Sequence, residues 1–163
     1  MLTLKRTRDA NAAIEDAAVG KLGEAELARR LRGVTREIAQ LNREMADQLV
    51  LLASQTGDTR PLIGAVQALR KVREYYAQGG DMGAEPEASM DAHEALADTL
   101  FALGRGRDDR EALDHAVISY RSAITLASLI GDEAARTRLR ANYRACLARL
   151  DGAAADARPL RAA

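Results

Sequence analysis

The sequence predicts an all-α chain made of repeated helical hairpins, and three observations carry that prediction. First, the chain contains itself twice: residues 97 to 132, moved back by 51 positions, fall without a gap on residues 46 to 81. Ala46, Asp47, Leu49, Leu52, Asp58, Leu62, Ala65, Val66, Arg70, Gly80 and Asp81 recur as Ala97, Asp98, Leu100, Leu103, Asp109, Leu113, Ala116, Val117, Arg121, Gly131 and Asp132. Repeats of this length mark stacked supersecondary units that bury their apolar faces against neighbouring copies. Second, 34 of the 163 residues are alanine, while aromatic residues make up 3% and tryptophan is absent. Alanine is the best helix former and a poor strand residue. Third, the apolar residues from Leu27 to Leu52 recur at spacings of four and three, the period of one helix face.

The outer bounds are narrow. A chain of 163 residues suffices for one domain with a real core. Acidic and basic residues balance at 24 each, so no net field recruits nucleic acid or an anionic membrane. Lys5, Lys21 and Lys71 are the only lysines, a bias expected of a G+C-rich bacterial genome. The single Cys146 has no partner for an intrachain disulfide, and no run approaches the roughly 18 apolar residues of a membrane span. Lys5, Arg6 and Arg8 resemble the start of a signal peptide, but Asp9, Glu15 and Asp16 fall where its apolar stretch belongs. The expected location is cytoplasmic.

Along the chain, residues 1–22 read as a weakly ordered or helical lead, with large apolar side chains only scattered at Ile14, Val19 and Leu22. The domain is expected over 23–151. Its first stripe comprises Leu27, Leu31, Val34, Ile38, Leu41, Met45, Leu49 and Leu52, either as one helix bent at Gly33 or as two helices meeting there. Gly57, Asp58 and Pro61 supply a C-terminal stop, a new N-cap and a first-turn proline. The second helix carries Leu62, Val66, Leu69, Val72 and Tyr76, and ends at Gly79 and Gly80. A loop follows from Asp81 to Pro86. Ser89 or Asp91 caps a third helix, where Asp91 and Glu94 have capping-box spacing ahead of Leu96, Leu100 and Leu103, and Gly104 and Gly106 close it. Asp108 or Asp109 opens a fourth, which Gly131 ends, and a fifth begins at Asp132. Moving Leu96, Leu100 and Leu103 forward by 47 lands on Tyr143, Leu147 and Leu150, the first half of a third unit. Residues 152–163 read as a disordered tail.

Each unit thus has a first helix with a large, a small and a large residue, and a second with a small, a large and a small one. Leu96, Ala97 and Leu100 with Ala116, Tyr120 and Ala123 make one; Met45, Ala46 and Leu49 with Ala65, Leu69 and Val72 make the other. The third keeps Tyr143 and Leu147 but has Arg144 in the small position. Over residues 36 to 150 this resembles the tetratricopeptide repeat, in a divergent form with a turn lengthened through Gly104 to Glu111 and without the closing proline. The resemblance implies a short right-handed α-solenoid of two full hairpins plus a closing helix, preceded by a helical extension. It also implies a concave groove lined by Arg43, Asp47 and Val50, by Asp91, Glu94, Asp98 and Phe101, and by Arg138 and Arg149.

Two local features bear on partners. Six acidic residues and no Lys or Arg lie from Asp81 to Asp98, whereas Arg136, Arg138, Arg140, Arg144 and Arg149 crowd the fifth helix. These charges either hold an acidic partner or pair with one another, and internal pairing is preferred because equivalent helices of successive units lie side by side. The near-heptad stripe suits a coiled coil with a second chain, with Gln48 interrupting a strict continuation. In the preferred reading its latter half packs inside the repeat, leaving Leu27, Leu31 and Val34 as the oligomer interface. No catalytic, cofactor or metal site is expected. His93 and His115 lack close metal-ligand spacing, and His115, in the place of Gly64, reads as a structural position. Cys146 reads as a partly packed thiol, and Gly104-Arg-Gly-Arg lacks the lysine and Ser/Thr of a phosphate loop. The expected function is a noncatalytic module binding a peptide or partner helix through the groove; the alternative is a self-assembling subunit.

Overall fold

The computed structural model describes residues 23–78 and 85–156. The expected lead over 1–22, the stop at Gly79 and Gly80, the loop up to residue 84 and the tail from 157 lie outside the described residues. The described residues form five helices and no strand: α1 (Glu24–Thr56), α2 (Arg60–Gln78), α3 (Pro86–Arg107), α4 (Arg110–Ile130) and α5 (Glu133–Asp156). The chain is all-α there.

The chain divides between Glu37 and Ile38 into two compact units. In the first, Glu26 takes the guanidinium groups of Arg29 and Arg30 at 3.0 and 3.1 Å, and Leu27, Leu31 and Val34 are exposed. Helix α1 is continuous through Gly33, around which nothing lies within 4 Å of an added Cβ. This glycine is therefore neither a stop nor a close contact.

In the second unit, α2 packs on α3, α3 on α4 and α4 on α5, while α3 also touches α5. The repeat has a packing cause. Ala46, Ala65, Ala97 and Ala116 are all fully buried, and such small residues allow close approach of helices. Between them sit the largest fully buried side chains, Leu69, Leu96, Leu113, Tyr120, Leu139 and Cys146.

The helix starts follow the predicted chemistry, with the side chains of Asp58, Asp109 and Asp132 accepting from the backbone N–H of Arg60, Ala112 and Ala135 at 2.9, 3.1 and 2.8 Å. Gly131 ends α4 at φ 75°, and its N–H donates to the carbonyl of Ala127.

Four expectations are corrected. The lengthened turn is absent: α3 continues through Gly104 and Gly106 to Arg107, and only Asp108 and Asp109 separate it from α4. The extra residues add helix because both glycines serve close packing. A Cβ on Gly104 would lie 2.7 Å from the Leu113 side chain, and one on Gly106 would lie 2.6 Å from Thr59 Cγ2. Neither Ser89 nor Asp91 caps α3, which already starts at Pro86, where the ring supplies the first-turn φ. The third-unit seam runs through Ala135, Leu139 and Cys146, with Tyr143 partly covered, so exposed Arg144 replaces no small packing residue. Finally, α5 continues past residue 151 to Asp156, through three consecutive alanines.

Candidate functional site

The predicted groove residues are brought together mainly as ion pairs and hydrogen bonds between helices. Arg138 on α5 donates to both carboxylate oxygens of Glu94 on α3, at 3.0 and 2.8 Å. Arg149 reaches Asp108 at 2.6 Å, and Arg43 pairs with Asp47 at 3.3 Å while touching the Asp91 carbonyl at 3.4 Å. The preferred pairing of an acidic third helix with a basic fifth thus has one example, Arg138 with Glu94, while Arg149 pairs with the turn that follows α3. Asp108 holds its place with φ 55°, a left-handed conformation that Asp tolerates better than most side chains.

Asp98 accepts a 2.5 Å hydrogen bond from the hydroxyl of buried Tyr120. Burial raises the Asp98 pKa, opposed by that hydrogen bond, and it pushes the Tyr120 phenol up strongly. Partial burial, then the neighbouring Glu94, likewise raises Asp91, whereas the hydrogen bond to Glu94 raises Arg138. Phe101 is half-buried, with the Arg105 guanidinium 5.9 Å from its ring centre, and Val50 is exposed.

The remaining chemical candidates are modest. His93 lines a cavity of about 330 Å³ with Arg73, Tyr76, Ser89, Ser122 and Thr125. Its Nδ1 is buried without a hydrogen-bond partner, and burial followed by the charge of Arg73 lowers its pKa. His115 departs from the expected structural position: it is exposed, 3.7 Å from Glu111, because its helix turns only Ala116 inward at that point. Cys146 is fully rather than partly buried, and its thiol is pushed up to about 11 by burial, then by Asp114. Among the described residues no cluster of three His, Cys, Asp or Glu could hold a metal ion, and no helix is long and apolar enough to cross a membrane.

The largest departure concerns α1. Its latter half was expected to bury the apolar stripe, yet Ile38, Leu41, Met45 and Leu52 are as open as Leu27, Leu31 and Val34, with Leu41 63% exposed. Met45 therefore does not fill the large-residue position of a first repeat helix. The inward face is made instead by Ala39, Ala46 and Ala53, seven residues apart, with Leu49 beside them against Gly64.

The internal repeat says what normally covers such a face. Shifted by 51, Leu41, Met45, Gln48 and Leu52 correspond to Ala92, Leu96, Thr99 and Leu103, all buried on α3. That side of α3 is the one turned to α2, since Ser89 and His93 share the cavity with Arg73 and Tyr76, and Gly106 abuts Thr59. The same face of α1 has no such cover among the described residues. The sequence held a signal for this in the seven-residue spacing of Ala39, Ala46 and Ala53. Comparison with protein-family models, with curated proteins and with solved structures finds no match to this chain.

Proposed function

We propose that this protein is a noncatalytic helical-repeat interaction module, a short tetratricopeptide-like solenoid that takes a partner helix on α1. One observation carries the reading: Leu41, Met45, Gln48 and Leu52 of the α1 face are open, whereas their internal counterparts Ala92, Leu96, Thr99 and Leu103 on α3 are buried, and the large apolar residues of that α1 face from Leu27 onward are exposed too. A run of large side chains left in water along one helix marks an interaction surface, and an amphipathic helix is the occupant that matches its length and spacing.

Peptide binding in the groove is the second reading, favoured by the accessibility of Val50 and Asp91 beside Arg43. It ranks below the first because Glu94, Asp98, Arg138 and Arg149 are already engaged with groups of the same chain.

A photoreactive side chain at Leu41, and separately at Asp91, in the full chain inside cells distinguishes the two. Intermolecular adducts at Leu41, whatever the polypeptide, support the α1 surface. Adducts at Asp91 alone move the function to the groove, and no intermolecular adduct at either position removes the interaction-module reading.

A further inference from the structure

We infer that the occupant of the α1 face is α1 of a second copy, running antiparallel; this rests on the α1 reading above. The apolar spacing alternates four and three from Leu27 to Met45, which is the heptad of a coiled coil, and polar Gln48 takes the next seam position before Leu52. Leu31, Ile38, Met45 and Leu52 fill the a positions, and Leu27, Val34, Leu41 and Gln48 the d positions. A heptad seam packs knobs into holes only against a helix with the same repeat. A second α1 supplies it.

Orientation follows from three features of the same helix. In a parallel pair each layer meets its own copy, which places Gln48 against Gln48 in the seam. In an antiparallel pair a positions face d positions, and one register matches Leu27 with Met45, Leu31 with Leu41 and Val34 with Ile38, each twice. Those six layers are wholly apolar, span about 27 Å of helix and leave Gln48 outside. The flanking charges agree. In that register the two g-position residues Arg30 and Glu44 meet across the seam twice, whereas a parallel pair sets Arg30 against Thr35 and Glu44 against Leu49, with no opposite charges joined. In the isolated chain Arg30 is held by Glu26 and Glu44 by the amide of Gln40, both exposed contacts along one helix that are free to exchange. Thr35 and Glu37 then lie on opposite flanks of the dyad, each beside its own copy. Residues 1–22 are a poorer occupant, since Ile14, Val19 and Leu22 do not repeat in heptads.

The test uses the full chain, with buried Cys146 left in place. Sedimentation equilibrium is expected to give a dimer that Leu41→Asp weakens by well over tenfold, with helical circular dichroism retained because Leu41 is exposed. Glu37→Gln is expected to tighten it about threefold by removing the like-charge pair at the dyad. Under mild oxidation Thr35→Cys should form a covalent dimer and Gln48→Cys should not. The reverse pattern, or indifference to Glu37→Gln, overturns the antiparallel assignment. A monomer at the highest soluble concentration overturns the second copy altogether. If that monomer still gives Leu41 adducts with another polypeptide, the interaction-module reading survives alone; if it gives none, or only intrachain adducts to residues 1–22, the α1 reading fails with it.

Discussion

At the scale of single residues, the sequence named the right polar side chains more readily than their duties. His93 and Asp98 are ordinary letters in a helix until Arg73 and Tyr120, far away in sequence, are folded beside them. His93 gives a pH-dependent prediction. Its folded-state pKa lies below the usual 6.5, chiefly through burial, so the unfolded chain binds more protons in the window between the two values. The stability this neutral imidazole contributes is complete above pH 6.5, falls as pH drops from there through the folded-state pKa, and is flat below it. Urea denaturation across pH 7.5 to 5 should therefore show a loss that His93→Gln largely removes and that His115→Gln, at an exposed site, does not. Equal slopes in wild type and His93→Gln would reject the buried imidazole as the cause. Tyr120→Phe keeps the ring and deletes the hydroxyl that donates to Asp98. A cost of about 1 to 2 kcal/mol is expected in the same denaturation assay, and an unchanged midpoint would mean that the hydrogen bond is worth no more than its hydrated alternative.

At the scale of elements, caps were legible because their chemistry is local. Asp58, Asp109, Asp132 and Gly131 each act within four residues of their own position. Gly104 and Gly106 were misread as stops for the opposite reason: their partners, Leu113 and Thr59, lie on other segments. Glycine in a helix costs about 1 kcal/mol relative to alanine unless close packing requires it, and this separates two glycines of the chain. Gly33→Ala meets nothing within 4 Å and should raise the helicity of α1, read by hydrogen exchange over residues 24–37. Gly104→Ala should instead destabilise by about 1 to 3 kcal/mol, because the new methyl meets buried Leu113 at 2.7 Å and the Asp109 carbonyl at 3.0 Å. If Gly104→Ala is neutral or stabilising, the glycine is a tolerated interruption and the two-residue turn has another cause.

At the scale of the whole chain, the doubled 51-residue pattern made the helix count and order legible, but not which face of α1 looks outward. Large apolar residues are read inward by default because burial is where they gain most. In α1 the alanines take the inward face and the large residues lie outside, so which of its two apolar faces turns inward is set by the helices it packs against rather than by the periodicity of α1 alone. The same dependence on neighbours yields a prediction about how the second unit comes apart. Helices α2 to α5 pack mainly with the next in chain order, so a defect in one interface weakens its own helices first, as in chains whose stability is a sum of neighbour contacts. Leu139 is the largest fully buried side chain on α5. Leu139→Ala should cost about 2 to 4 kcal/mol through lost burial and the cavity left behind. Native-state hydrogen exchange should then accelerate most over Glu133–Asp156, less over α4, and least over α2. Acceleration of equal size from α2 to α5 would mean that the unit opens as one cooperative block, and that its sequential contacts describe its construction without describing its stability.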